Sequence, residues 1–115
     1  MEGLTEGDIC WTDLDSPVGS QPGYRRPVVV VQADWVTRSG IGTVLCVPLT
    51  TNLRLAEAPG NVLFKAGHTG LPKDSVVVVT VVLPIDRSLL EERVGRLTRA
   101  ELRRVIAGID LVLAE

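Results

Sequence analysis

The run RPVVVVQ, residues Arg26 to Gln32, decides the fold. Four consecutive valines, Val28 to Val31, are β-branched and stiff at χ1, so they suit a strand better than a helix. The run does not alternate between apolar and polar. It therefore belongs to a strand buried on both faces or to a barrel wall. Pro27 stands at its start, where no ladder donor is needed.

Upstream, GDICWTDL (Gly7 to Leu14) reads as a short strand with Ile9 and Trp11 on one face. Between the two strands, DSPVGSQPGYR (Asp15 to Arg25) is a loop by turn chemistry, and its length marks it as functional or mobile. Downstream, Ser39, Gly40 and Gly42 turn the chain into the strand TVLCVPLT, Thr43 to Thr50. Pro48 inside that strand predicts an edge or a bulge that re-aims Leu49 and Thr50. A polar loop over Thr51 to Gly60 leads to a short strand, Asn61 to Phe64. A second loop, Lys65 to Asp74, leads to one long Val-rich strand, Ser75 to Ile85. Arg87 to Arg93 reads as a helical turn or an irregular link, and Val94 to Leu97 as a small strand.

The last segment is a helix. Thr98 and Glu101 form a capping box, and Leu97 and Leu102 form a hydrophobic staple. Leu102, Val105, Ile106, Ile109, Val112 and Leu113 recur at helical spacing. Gly108 within it costs about 1 kcal/mol relative to Ala, which implies close packing there. The whole, residues 1–115, is expected to form one mainly β domain, a small, strongly bent barrel with a C-terminal α-helix.

Composition narrows the function classes. With 45% apolar residues but only one Phe, one Tyr and two Trp, the core must be aliphatic. A net charge of −2 excludes a broad basic face for duplex DNA but leaves room for a local RNA groove. Cys10 and Cys46 sit in apolar runs without a CxxC partner, so buried free thiols in a reducing cytoplasm are expected. Met1 to Glu6 has neither a basic n-region nor an apolar h-region, and no run reaches the ~18 apolar residues of a membrane span. A soluble, cytoplasmic protein is expected.

The chain carries no GxxxxGK[ST], GxSxG or HExxH motif. Its one histidine, His68, lies in a Gly-flanked loop with nothing in its local sequence to orient it, and is expected to be solvated. No cofactor and no metal are expected. What remains is a polar cluster that strand ends could bring together: Ser20, Gln21, Arg25 and Arg26 with Thr50, Thr51 and Asn52. An arginine is permanently charged and forks onto phosphate oxygens, and a hydroxyl opposite it could donate to the same phosphate. Such a cluster would grip a phosphodiester. Arg25-Arg26 also reads as a solvated pair beside a turn, and the residues alone leave both readings open.

The same residues lie in motifs that resemble the MazF/PemK-type endoribonuclease toxins. The matching stretches are GDICWTDLD (7–15), PVGSQPGYRRPVVVVQAD (17–34), VPLTTN (47–52), GLPKDSVV (70–77) and IDRSLLEERVGRL (85–97). The resemblance implies an SH3-like β-barrel with a C-terminal helix, acting as a homodimer with RNA in a groove across the interface. It implies sequence-specific, metal-independent cleavage of single-stranded RNA. The substrate's 2′-OH attacks the adjacent phosphate, giving 2′,3′-cyclic phosphate and 5′-OH ends. It further implies a cognate antitoxin whose acidic C-terminal segment blocks the groove.

Residue by residue, the family's catalytic arginine falls on Arg26, its strand-end threonine on Thr50 and its loop serine on Ser20. Gln21 departs from the carboxylate that many members carry, and so removes an obvious proton acceptor. Val81 replaces a glutamine that often reaches RNA. Gln21, Tyr24, Arg25, Thr51, Asn52 and Arg87 are the expected RNA contacts. Tyr24 and Trp35 could stack on bases, although Trp35 is expected to pack against the barrel. Arg54 and Glu57, in the loop after Thr50, are expected to shape the target sequence. Two alternatives share the barrel: a non-nucleolytic toxin that binds DNA gyrase, and a catalytically inactive RNA- or protein-binding module.

Overall fold

The computed structural model describes residues 3–14 and 24–114. Its strands are β1 (Asp8–Asp13), β2 (Arg25–Val30), β3 (Thr43–Thr50), β4 (Val62–Phe64), β5 (Ser75–Val77), β6 (Leu83–Asp86) and β7 (Leu90–Arg96). Short helices α1 (Asp34–Thr37) and α2 (Ala66–Thr69) sit in the connections, and α3 (Arg99–Leu113) follows β7. The strands form an antiparallel sheet in the order β4-β5-β3-β2-β1-β7, with β6 also beside β3. Among the described residues, no helix is long and apolar enough to cross a membrane.

The valine run is buried on both faces, as its lack of alternation predicts. Val29 enters a core shared with Ile9, Val47, Leu49 and the α3 residues Leu102 and Val105. Val28 and Val30 enter a second core with Cys10, Val44, Cys46, Ile85 and Leu90. Each fully buried valine contributes roughly 1.5 kcal/mol or somewhat more by area. Trp11 packs against the first core with Ile9, on the face assigned to it. Both thiols are buried and neither is in a disulfide; burial pushes Cys10 up to about 11 and Cys46 up to about 12, so both stay protonated at neutral pH.

Two strand expectations need correction. The stretch Ser75 to Ile85 is two strands rather than one. Val76 pairs with Thr50 and Leu83 with Cys46, so seven steps along one segment match four along β3. The surplus is taken up in a turn, where the Val81 N–H donates to the Val78 carbonyl at 3.3 Å. Asn61 Oδ1 accepts from the Val79 N–H at 3.0 Å, which lets the buried Val79 leave the ladder without an orphaned donor. Pro48 lies neither on an edge nor in a bulge. It pairs with Val28 in regular register, and its carbonyl accepts from the Val78 N–H at 2.9 Å. It stands where the partner of β3 changes from β6 to β5, so its missing donor breaks no bond.

The strand β7 also starts earlier than expected, directly after a 3₁₀ turn at Arg87–Leu89. Its exposed charges, Glu91, Glu92 and Arg93, hide a strand pattern but suit the sheet edge it occupies. The helix α3 is as read. Thr98 Oγ1 accepts from the Glu101 N–H at 3.2 Å, and the Glu101 carboxylate accepts from the Thr98 N–H at 2.8 Å. Leu97 and Leu102 share the first core. Gly108 lies directly against the backbone carbonyl of Gly60, leaving no room for a Cβ.

Candidate active site

Arg26 lies near the start of β2 and Thr50 at the end of β3. In the β2–β3 ladder Val28 pairs with Pro48. The ladder ends at that pair, and one side-chain repeat further on Arg26 and Thr50 fall on the same face of the two adjoining strand ends. On the other flank of Arg26, β1 supplies Thr12 as its direct cross-strand partner. Thr12 is fully buried, and its hydroxyl donates to the Leu89 carbonyl at 2.8 Å. The backbone that carries Arg26 is therefore held by an ordered neighbour strand and by the valines that follow. Arg26 and Thr50 are both half-buried.

Thr50 Oγ1 accepts from the Asn52 N–H at 3.2 Å, and Asn52 Oδ1 in turn accepts from the Arg54 N–H at 3.3 Å. Asn52 caps a 3₁₀ turn over Leu53–Glu57 inside what reads as a plain polar loop. This fixes the hydroxyl oxygen of Thr50 and directs the chain away from the strand end.

Arg25 points to the other face. Its guanidinium lies 4.5 Å from the centre of the Trp11 ring, and its Nε donates to Glu91 Oε1 at 2.9 Å. Beside Trp11 is a small slot of about 90 Å³, lined by Trp11, Pro27, Thr51, Leu71, Pro72, Lys73 and Ser75. Trp11, Pro27 and Thr51 are the sequence neighbours of Thr12, Arg26 and Thr50, so the slot opens at the same end of the sheet.

The other expected contacts distribute unevenly. Tyr24 is exposed, has a left-handed backbone at φ 58°, and accepts the Leu14 N–H on its carbonyl at 2.8 Å. Arg87 is not brought to this cluster. It donates to the carbonyls of Thr37 at 2.8 Å and Ile41 at 3.2 Å, tying α1 to β6 at the far end of β3. That end lies about 23 Å along the strand from Thr50, at ~3.3 Å per residue. Trp35 does not pack against the barrel; it is 72% exposed on α1. His68 is oriented after all, with Nδ1 2.6 Å from Glu101 Oε2. Ser20, Gln21 and Asp15 lie outside the described residues. Among the described residues, no group of His, Cys, Asp and Glu is placed to hold a metal. Trp11 and Glu91, which contact Arg25, and Lys73, which lines the slot, were not singled out by the sequence as site residues.

A family model described as PemK-like, MazF-like toxin of type II toxin-antitoxin system matches residues 5–113. The chain belongs to this family. Endoribonuclease MazF6 of Mycobacterium tuberculosis is 41% identical over 110 residues, covering 96% of this chain and 96% of the relative. A solved MazF from Deinococcus radiodurans matches with TM-score 0.78 at 22% identity, covering 97% of each chain. A solved mycobacterial endoribonuclease in complex with its cognate antitoxin matches with TM-score 0.78 at 19% identity, covering 96% and 95%. The barrel-like sheet with its C-terminal helix is thus the MazF fold. In this MazF-like chain the strand ends bearing Arg26 and Thr50 lie within the matched region.

Proposed function

We propose that this chain is the toxin of a type II toxin–antitoxin pair and cleaves single-stranded RNA in the cytoplasm. Family membership and the 41%-identical endoribonuclease relatives support the endoribonuclease activity. The observation that carries the chemistry is the Val28–Pro48 pair, which lies one side-chain repeat from Arg26 and Thr50 and brings the two strand ends side by side.

In this reading Arg26 forks onto the non-bridging oxygens of the scissile phosphate and meets the charge that grows on them. Because Thr50 Oγ1 accepts from Asn52, its hydrogen is left to donate to the same phosphate. The substrate's 2′-oxygen bonds to phosphorus as the P–O5′ bond breaks. The 2′ proton leaves to a base and the departing 5′-oxygen takes one up, giving 2′,3′-cyclic phosphate and 5′-OH ends. No metal takes part in this scheme. Arginine stays protonated far above neutral pH and serves as clamp, not base. Water or Asp15 takes the proton, since Gln21 offers no carboxylate. Ser20 positions the loop or the phosphate.

Gln21, Tyr24, Arg25, Thr51 and Asn52 contact the flanking RNA. A homodimer, sequence-specific cutting and inhibition by an acidic antitoxin segment complete the reading. A labelled single-stranded RNA incubated with purified protein and EDTA tests it. Products bearing 2′,3′-cyclic phosphate and 5′-OH are expected. Binding without any cut product would instead identify an inactive RNA-binding barrel.

A further inference from the structure

We propose that the slot between Trp11, Pro27, Leu71 and Pro72 takes one nucleobase of the single-stranded RNA, with Arg25 and Lys73 at its mouth on the flanking phosphates. This rests on the RNA-cleaving function proposed above and adds to it a place where one target position is held. The slot measures about 90 Å³, room for one flat ring. Its walls are an indole and two prolines, rigid and flat, over the buried floor of Leu71 and Ser75. Thr51 and Ser75 supply few polar atoms, which is the pattern of a site that stacks first and orients second.

Charge selects the occupant. Lys73 supplies a cation at the mouth, and Arg25, whose charge is balanced by Glu91, adds guanidinium N–H donors beside it, a set that suits a nucleotide and disfavours a neutral apolar segment. The position also fits. Trp11, Pro27 and Thr51 each directly adjoin one of Thr12, Arg26 and Thr50, which puts the slot at the same end of the sheet but on its opposite face, so an RNA with one phosphate on Arg26 turns round the strand ends to seat a flanking base there. Arg25 already stacks on Trp11, and Glu91 holds it there. A guanidinium so held can stack on the base and pair with phosphate together.

The test uses the Trp35→Phe protein, in which Trp11 is the sole tryptophan. The probe is an uncleavable 2′-O-methyl oligonucleotide of the sequence that the wild-type protein cleaves, or a mixed pool if it cleaves none. A companion series carries one abasic position at a time. Binding should quench Trp11 emission, and one abasic position should lose the quench together with about 5- to 100-fold in affinity. Thr51→Phe, at an exposed position beside the slot, should plug it and erase that position's penalty while the fold stays intact. Binding with unchanged Trp11 emission, a flat abasic series, or no binding at all would overturn the proposal. Cleavage by the same preparation separates the two claims. Cutting with a flat abasic series sinks the slot alone, and Trp11 quenching without any cutting sinks the nuclease.

Discussion

Arg26 pairs directly across the sheet with Thr12, and the buried hydroxyl of Thr12 donates to the Leu89 carbonyl at 2.8 Å. The side chain proposed to clamp phosphate thus rides on backbone tied through Thr12 to the start of β7. Preorganisation of this kind keeps a cation in place before charge develops.

Thr12→Val tests that tie. The substitution keeps the strand-favouring shape but deletes the hydroxyl bond, so urea unfolding should show a loss of about 1 kcal/mol with an unchanged m-value. Activity at saturating RNA should fall modestly, because Arg26 is then less firmly positioned.

Glu91→Gln addresses the charge balance at the slot. The Arg25–Glu91 pair is half-exposed on both sides, so its contribution to stability is small. Freeing Arg25 from its counter-charge should tighten RNA binding. The slope of log affinity against log salt should steepen by about 0.7, the value for one added phosphate contact on a single strand. Titrations at several salt concentrations check this.

Gly108→Ala sets two effects against each other. Helix propensity favours alanine by about 1 kcal/mol. The added Cβ, however, falls on the Gly60 carbonyl and crowds Val79. The clash should win because both sides are backbone, and Gly60 itself has a left-handed φ of 80° that keeps the turn from yielding. A net drop in melting temperature is expected.

Acid sensitivity should centre on Glu101. Burial alone would raise its carboxyl, but the Thr98 N–H and hydroxyl and the His68 ring together hold it below the ordinary carboxylate value. A carboxyl depressed in the folded state stabilises the fold above its unfolded pKa, and that stability drains as pH falls through the folded value. Stability should therefore decline from about pH 5 downward, and Glu101→Gln should flatten that part of the curve. Denaturation midpoints across pH 3–7 decide it.

Local signals carried much of this far. The valine run, the Thr98–Glu101 box and the Leu97–Leu102 staple each stand within a few residues, and each is built as read. That Arg26 and Thr50 stand at strand ends was legible because Arg26 precedes one apolar run and Thr50 closes another. The break at 78–82 was not, since its β-branched residues read as a continuing strand, and only Asn61 on another segment takes up the freed donor. Arg87 looks like any exposed cation until its carbonyl partners appear fifty residues upstream. The slot draws on separate stretches around residues 11, 27, 51 and 71–75, so no local pattern could announce it.

The central claim is that Arg26 clamps the reacting phosphate. The most direct measurement is the single-turnover cleavage rate of Arg26→Ala on a defined RNA, with circular dichroism to show that the fold is kept. The account predicts a loss of about 10²-fold or more, as removal of one preorganised donor entails, with Arg26→Lys restoring little because it lacks the fork. A folded Arg26→Ala protein that cuts at the wild-type rate would contradict it.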